Sequence, residues 1–349
     1  DVETSERVHE NRRDEVYLRV GDENRRLAFH QRHELLYDKG QASYEATPVR
    51  DAAADELDEA LLTRYAEAVV HPDPLRLLQA RGLTSAKREL TIGALLLFGR
   101  RPQSRYPEAT LRIVRYRGTE RGTGARQQVA DDHRLEGPIP RILTDAQAAI
   151  SDLVPTRRAL MGDGRFGTVG IVPHDAWLEG LVNAVVHRSY SMLGDHIRFE
   201  IFDDRIEIES PGRFPGLVDP NDLDSSRRFA RNPRIARVCG ELRFGQELGE
   251  GIRRIFEEMR LAGLADPSYR QTSGSVRLTL MAEPVDRELE SRLPPDGREF
   301  VRLIREFERA STGDLSAATG LSRPVVLERL RALQQLGLIE WVGRSPKDP

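Results

Sequence analysis

HDAWLEGLVNAVVHRSY, residues 174–190, predicts a helix that is apolar on nearly every side. Trp177, Leu178, Leu181, Val182, Val185 and Val186 are expected inside, and the polar exceptions are Glu179, Asn183 and His187. Spaced i, i+4, i+8, these three drift by only ~40° per step around a helix of 3.6 residues per turn, so they form one stripe. A helix packed on most sides cannot leave a carboxylate and a carboxamide without a partner, a water or a ligand, so the stripe lines something polar. A carboxylate one turn before a carboxamide suits nucleotide chemistry. Glu179 can take a proton from an attacking water, and the Asn183 oxygen is a hard ligand for a Mg²⁺ that otherwise keeps waters and phosphate oxygens. The same spacing also serves an ordinary solvent-facing stripe, so the surrounding sequence has to separate the two.

Downstream, residues 196–202 (HIRFEIF) and 205–209 (RIEIE) alternate around Asp203 and Asp204. They predict two antiparallel strands with Ile197, Phe199, Ile201, Ile206 and Ile208 inward. The second strand runs into SPGRFPG, residues 210–216, a glycine turn where backbone can approach a ligand closely. The polar residues 219–229 suit a lid, and Arg231, Asn232 and Pro233 start a helix through Ile235, Ala236 and Val238. In ELGEGIRRI, residues 247–255, Gly249 and Gly251 open a helix with Ile252, Ile255, Phe256 and Met259 on its inner face. Orphan amide N–H groups at such a helix start suit phosphate oxygens. SVRLTLM, residues 275–281, completes a sheet.

Upstream, residues 16–20 alternate and stop at Gly21 and Asp22. A lone strand is not stable, so it pairs with a later segment or belongs to a preceding domain. Residues 55–70 and 73–81 predict helices, and the apolar run ending at Phe98 reads equally as buried helix or strand. A strand is expected over residues 106–116, followed by a loop, residues 118–124, whose basic side chains are simply solvated. Residues 137–154 predict a helix entered at Pro138 and Pro140, with Ile139, Ile142, Leu143, Ala146 and Ile150 inward. No residue between 52 and 154 proposes chemistry.

The 349 residues allow two or three domains, and 39% hydrophobic content supports real cores despite 31% charged residues. The longest apolar run, residues 92–98, is far short of a membrane span, so no membrane partner is expected. One cysteine, Cys239, excludes an intrachain disulfide and a Cys-rich zinc site, and fits a reducing, cytoplasmic setting. A formal net charge of −3 gives no global attraction to nucleic acid, so any DNA contact must come from a local patch.

LEGLVNAVVHRSY, RIEIESPGRFPG, ARNPRIA and ELGEGIRRI together resemble the GHKL superfamily of gyrase, heat-shock chaperone, histidine kinase and MutL ATPases. The likeness is to a divergent, RecG-like branch of transcriptional regulators that carry a Schlafen AlbA-type domain, and it runs across residues 15–345. YLRVGDENRRLAF, from Tyr17, resembles the closing strand of that AlbA-type domain, which favours truncation of a longer protein. The resemblance implies ATP and Mg²⁺ as cofactors, Glu179 as general base and Asn183 as Mg²⁺ ligand. It places nucleotide against Ser210 and Gly212 of the first glycine motif and Gly249 and Gly251 of the second. One departure bears on adenine recognition: the superfamily's first glycine motif begins with an Asp, where Ser210 stands here, and Phe214 stands where a second Gly is usual. The chain contains no GxxxxGK[ST] P-loop, so the RecG-like label does not imply a helicase.

Beyond a charged connection at residues 286–295, helices are expected over residues 297–309, 313–318 and 322–336, then a strand at 338–342 and a basic tip. Phe300, Val301, Ile304 and Phe307 face inward on the first, and Val326, Leu327, Leu330 and Leu333 on the third, which Ser322 caps. This order resembles a winged helix-turn-helix, whose third helix enters the major groove and whose wing touches backbone. The resemblance points to double-stranded DNA as partner, with Arg323, Arg329 and Arg331 on the helix and Arg344 and Lys347 on the wing. Residues 296–349 hold nine Lys+Arg against eight Asp+Glu, a net of +1, so useful affinity calls for a homodimer.

The expected fold class is therefore α+β: a GHKL-like α/β sandwich followed by an all-helical, winged helix-turn-helix domain. Residues 1–50 are expected to be the tail of an N-terminal AlbA-type domain or a lead-in, 51–150 a helical and mixed region, and 151–285 the ATP-binding domain. Residues 286–295 form the linker and 296–349 the winged helix. Two functions remain open. One is an ATP-binding, DNA-binding regulator, at most a slow ATPase, whose nucleotide state controls the winged helix. The other is a nucleotide-free scaffold for dimerisation and protein interaction.

Overall fold

A strand with one covered face must put every second side chain in the core, and HIRFEIF, RIEIE and SVRLTLM obey that rule. The computed structural model describes residues 8–20, 23–38, 42–124, 127–160, 165–214, 230–245, 251–272, 274–285, 292–307 and 310–340. In chain order the strands are β1 (Tyr17–Val20), β2 (Glu23–Arg26), β3 (Leu111–Tyr116), β4 (Val129–Leu135), β5 (Thr156–Leu160), β6 (Phe166–Gly170), β7 (Ile197–Ile201), β8 (Arg205–Pro211), β9 (Ser268–Gln271) and β10 (Ser275–Met281). The helices are α1 (Phe29–Asp38), α2 (Glu59–Ala68), α3 (Pro74–Ala80), α4 (Ile92–Phe98), α5 (Ile139–Leu153), α6 (His174–Val186), α7 (Pro233–Glu241), α8 (Gly251–Leu261), α9 (Gly297–Phe307), α10 (Thr312–Thr319) and α11 (Arg323–Gln335).

Six strands form one sheet in the order β4-β3-β7-β8-β10-β9, with β3 and β7 parallel and the other neighbours antiparallel. The strand expected alone at residues 16–20 is half of a ribbon, Tyr17–Val20 against Glu23–Arg26. β4, β9 and the β5–β6 ribbon were not foreseen. The sheet takes strands from both sides of residue 150, so residues 51–150 and 151–283 share one core. Residues 1–283 make one compact unit and residues 284–349 a second. The architecture is mixed α+β.

Ile197, Phe199, Ile201, Ile206 and Ile208 are buried as the alternation requires, and Leu278 and Leu280 of β10 join them. They pack in one cluster with the predicted inner face of α5 and with Trp177, Leu181 and Val185 of α6. Each such side chain contributes about 1.5–3 kcal/mol on burial, so this face carries much of the unit's stability. The opposite face is a lattice of charges. Glu200 of β7 lies directly across from Glu207 of β8, a repulsive pair, and the Arg121 guanidinium lies 2.6 Å from a carboxylate oxygen of each. Arg121, expected to be solvated in its loop, is therefore drawn onto the sheet. Glu209 accepts from Ser275 and Arg277, and with Arg198 beside it these partners hold its carboxyl down at about 2 against the cost of burial.

The helical layer begins later than the sequence suggests. Residues 54–56 form a 3-10 turn, and α2 starts after Asp58, whose carboxylate accepts from Leu61 N at 3.0 Å. The ambiguous apolar run is α4, a helix buried on all sides. Glu45, fully buried, accepts from the backbone N–H groups of Arg234 (2.7 Å) and Ile235 (2.9 Å) and so caps α7 from a distance of some 190 residues along the chain.

The second unit is a three-helix module. Ser311 and Asp314 close a reciprocal capping box at the start of α10, and Gly320 in the left-handed region (φ 71) ends it. Phe300, Leu303, Leu315, Val326 and Leu333 form the core. Four sequence expectations need correction here. Phe307, in the last turn of α9, is exposed and Leu303 takes the inward place, while Leu327 points outward on α11. Ser322 occupies the N-cap of α11 without a side-chain cap bond. Residues 338–340 are not a strand, and the rest of the expected strand, 341–342, lies outside the described residues.

Candidate functional site

The apolar residues of α6 are buried with Leu178 half-exposed, so only the stripe is left to face a ligand. The helix ends at Val186 rather than Tyr190. Its last carbonyls explain why: the buried Asn232 amide donates to Val186 O (2.8 Å) and Arg188 O (2.9 Å), so the chain turns out of the helix around a side chain from ARNPRIA. That side chain was quoted as part of a motif, but its capping role had no local signal.

Glu179 is 6% exposed, and burial raises its carboxyl above the usual range, against the opposing charge of Arg254 and the neighbouring Asn183 amide, which lies close to the carboxylate but is not placed to hydrogen-bond it. Arg254 itself is engaged with Asp175 one turn earlier on α6. The Asn183 Nδ2 and His187 Nδ1 atoms are buried and make no hydrogen bond among the described residues. Two orphan polar atoms in line along α6 and its C-cap mark a surface that something polar completes. Burial, helped by the Arg231 charge, lowers the His187 imidazole to about 4.

The glycine motifs arrive at the two ends of this line. Gly251 is the first residue of α8, and a Cβ there would lie 2.0 Å from Glu179 Oε1 and 3.0 Å from Asn183 Nδ2. Any other residue would have to displace the ends of the Glu179 and Asn183 side chains. Gly249 lies outside the described residues. Gly212, at φ 120 after β8, packs on Ser189, with Arg231 donating to the neighbouring Arg213 carbonyl at 2.7 Å. The structure thus gathers Glu179, Asn183, Gly251 and, through Arg231, Gly212 along one line. Ser210 is different: its hydroxyl donates to the Ala184 carbonyl at 2.7 Å and braces α6 against β8. It spends its donor on the fold, where a carboxylate would have been free to accept from a base.

On the second unit Arg323 and Arg331 are exposed on α11, whereas Arg329 is half-buried and paired with Glu328. Arg344 and Lys347 lie outside the described residues. Among those residues no three His, Cys, Asp or Glu cluster as a metal site, and no helix is long and apolar enough to cross a membrane.

The low pKa of His187 makes a stability prediction. The unfolded imidazole titrates near its model value of 6.5 and the folded one near 4, so its contribution is complete above 6.5 and lost as the pH falls toward 4. Over that window the parent should lose up to about 3 kcal/mol that His187→Gln does not. Denaturant unfolding at pH 7 and pH 4.5 measures this, and equal losses in both proteins would show that His187 takes up its proton without cost.

Residues 194–280 match the family model described as "Putative ATP-dependent DNA helicase recG C-terminal", and residues 301–340 match one described as winged helix-turn-helix DNA-binding. The first match begins after α6, so it covers both glycine motifs but not Glu179 or Asn183. Among solved structures, the DIP2311 protein from Corynebacterium diphtheriae is similar, with a TM-score of 0.57 and 21% identity over 93% of this chain and 67% of that one. At that identity the likeness concerns the fold. No curated protein matches the chain. The two family matches, laid over the two structural units, fit a domain of the RecG C-terminal ATPase-like type followed by a C-terminal winged helix-turn-helix of the DNA-binding type.

Proposed function

We propose that this chain is a DNA-binding transcriptional regulator whose first unit binds ATP with Mg²⁺ and whose nucleotide state sets how the winged helix holds duplex DNA. The observation that carries this reading is the α6 stripe: a buried Glu179 with a raised carboxyl pKa, in line with Asn183 Nδ2 and His187 Nδ1, which make no hydrogen bond among the described residues, and against the glycine start of α8. The donor set fits a nucleotide-bound Mg²⁺, which needs one or two protein oxygens besides phosphates and water. Asn183 would hold it through its side-chain oxygen, and the metal, when bound, neutralises phosphate charge. Glu179 accepts the proton of an attacking water, and its raised carboxyl pKa makes it a stronger base than an exposed Glu. The N–H groups of the first turn of α8 point toward its N-terminal end, where phosphate oxygens bind well. Arg323 and Arg331 supply the exposed cations of the recognition helix, and two such heads in a homodimer meet half-sites about one helical turn apart.

One observation favours the nucleotide-free scaffold instead: Ser210, at the place of the usual adenine-binding carboxylate, is committed to the Ala184 carbonyl. A single experiment separates the readings. Mg–ATP is titrated into the parent and into Asn183→Ala, and the duplex-DNA affinity of each is measured with and without nucleotide. The parent should bind and its DNA affinity should change. The variant should bind at least about tenfold more weakly. Its melting should shift by no more than about 0.5 kcal/mol in stability, because Asn183 Nδ2 makes no hydrogen bond among the described residues. A parent that ignores Mg–ATP establishes the scaffold, and equal binding by both proteins removes Asn183 from the site.

A further inference from the structure

Away from the stripe, the first unit carries a cleft of about 520 Å³ lined by Arg100 and Arg101 from the loop after α4, Arg134 and Glu136 from β4 and its exit, and Arg141 from the first turn of α5. Four guanidiniums face one carboxylate in a chain whose formal net charge is −3. Arg134 is 3.4 Å from Glu136, but Arg101 and Arg141 have no carboxylate within ion-pair distance among the described residues. Solvent alone does not require four like charges at one concavity, where their mutual repulsion works against the fold.

The cleft is also built to stay in shape. Gln103 donates to the carbonyls of Ala109 (2.6 Å) and Gly137 (3.0 Å) and accepts from Gly137 N (2.8 Å), which ties the arginine loop to the entrance of α5. Arg100 Nε donates to the Leu57 carbonyl at 3.1 Å, so this guanidinium is anchored before any ligand arrives. Among the described residues no aromatic side chain lines the cleft, so it offers no ring for a base to stack on. Arginine forks match phosphate oxygens two at a time, and what they can recognise here is a run of phosphates rather than a base.

We propose that this arginine cleft binds the phosphodiester backbone of nucleic acid, giving the ATPase-like unit its own sequence-independent contact with the DNA that the winged helix reads. The cleft shares no residue with the α6 stripe or the glycine motifs, so nucleotide binding is not needed for this contact.

The test uses the full chain, a labelled random-sequence duplex and a salt series. The parent is compared with Arg101→Ala/Arg141→Ala and with Arg101→Lys/Arg141→Lys, all checked for unchanged melting since both side chains are exposed. Two lost phosphate contacts should flatten the log–log salt dependence by about 1.8 units and weaken binding at low salt about tenfold or more, while the lysine variant keeps the slope. The same loss should appear in an Arg323→Ala background, which separates the cleft from the winged helix. Parent-like slope and affinity in the alanine pair overturn the proposal. So does a cleft that binds inorganic pyrophosphate in the parent, loses it in the alanine pair, and leaves duplex affinity untouched: it would then be a small-phosphate site.

Discussion

Glu179→Gln is expected to lower ATP turnover by ~10²-fold or more while Mg–ATP affinity stays within about twofold of the parent. The substitution keeps the shape of the side chain and its place against Gly251 and Asn183, and removes only the ability to accept a proton. Turnover by the parent should be slow, and it should rise with pH through the raised carboxyl pKa of Glu179, since the ionised form is the base. The variant should lack that rise. Phosphate release followed over hours, with and without Mg²⁺, measures both. A parent that binds Mg–ATP and releases no phosphate makes the site a sensor and ends the ATPase reading. A variant that turns over like the parent assigns the base elsewhere.

Arg188→Ala should cost about 3–5 kcal/mol of unfolding free energy, the largest loss expected from any single side chain outside the hydrophobic clusters. Arg188 is 1% exposed, and among the described residues no carboxylate lies within ion-pair distance of it, although the charges of Asp195 and Glu108 are felt there. Its guanidinium donates to the carbonyls of Ser189, Glu108, Met192 and Asp195 and lies over the Tyr190 ring, 4.8 Å from its centroid. Burial lowers its pKa, yet it remains the charged hub of the turn that carries the chain from α6 to β7. Truncation takes the donor from four carbonyls and leaves a cavity, and both losses add. Lys should recover only part of the loss, because a compact ammonium has three donors and cannot span the positions a planar fork reaches. Denaturant unfolding of the parent, Arg188→Ala and Arg188→Lys supplies the numbers. A loss under about 1 kcal/mol in the alanine variant would mean that water reaches the stranded carbonyls.

Glu179 and Arg188 differ in legibility although they are only nine positions apart in the chain. Glu179 announces itself because the helix around it is apolar and its polar neighbours recur at i+4, a pattern that any single segment displays. Arg188 has no such signature. Its importance comes from carbonyls at residues 108, 192 and 195, which only the closed turn brings to one guanidinium. The same contrast separates Gly251, legible as part of a glycine motif at a helix start, from Ser210, whose hydroxyl could not be known to brace Ala184 until α6 lay across β8. It also separates Phe300, inward by period, from Phe307, which has the right period but sits beyond the end of its core.

Local periodicity reports whether one face of a segment is covered, and so the α6 stripe, the alternation of β7, β8 and β10, the inner face of α5 and the three helices of the second unit were all readable from residue order. β4 was not, because residues 129–134 are exposed and a strand wet on both faces has no reason to alternate. The parallel pairing of β3 with β7, some 85 residues downstream, the Glu45 cap on α7, and the meeting of Arg100, Arg101, Arg134 and Arg141 around one cleft were likewise invisible. Each joins groups that are distant along the chain, and the free energy that selects such a meeting belongs to the packed whole rather than to any one of its segments.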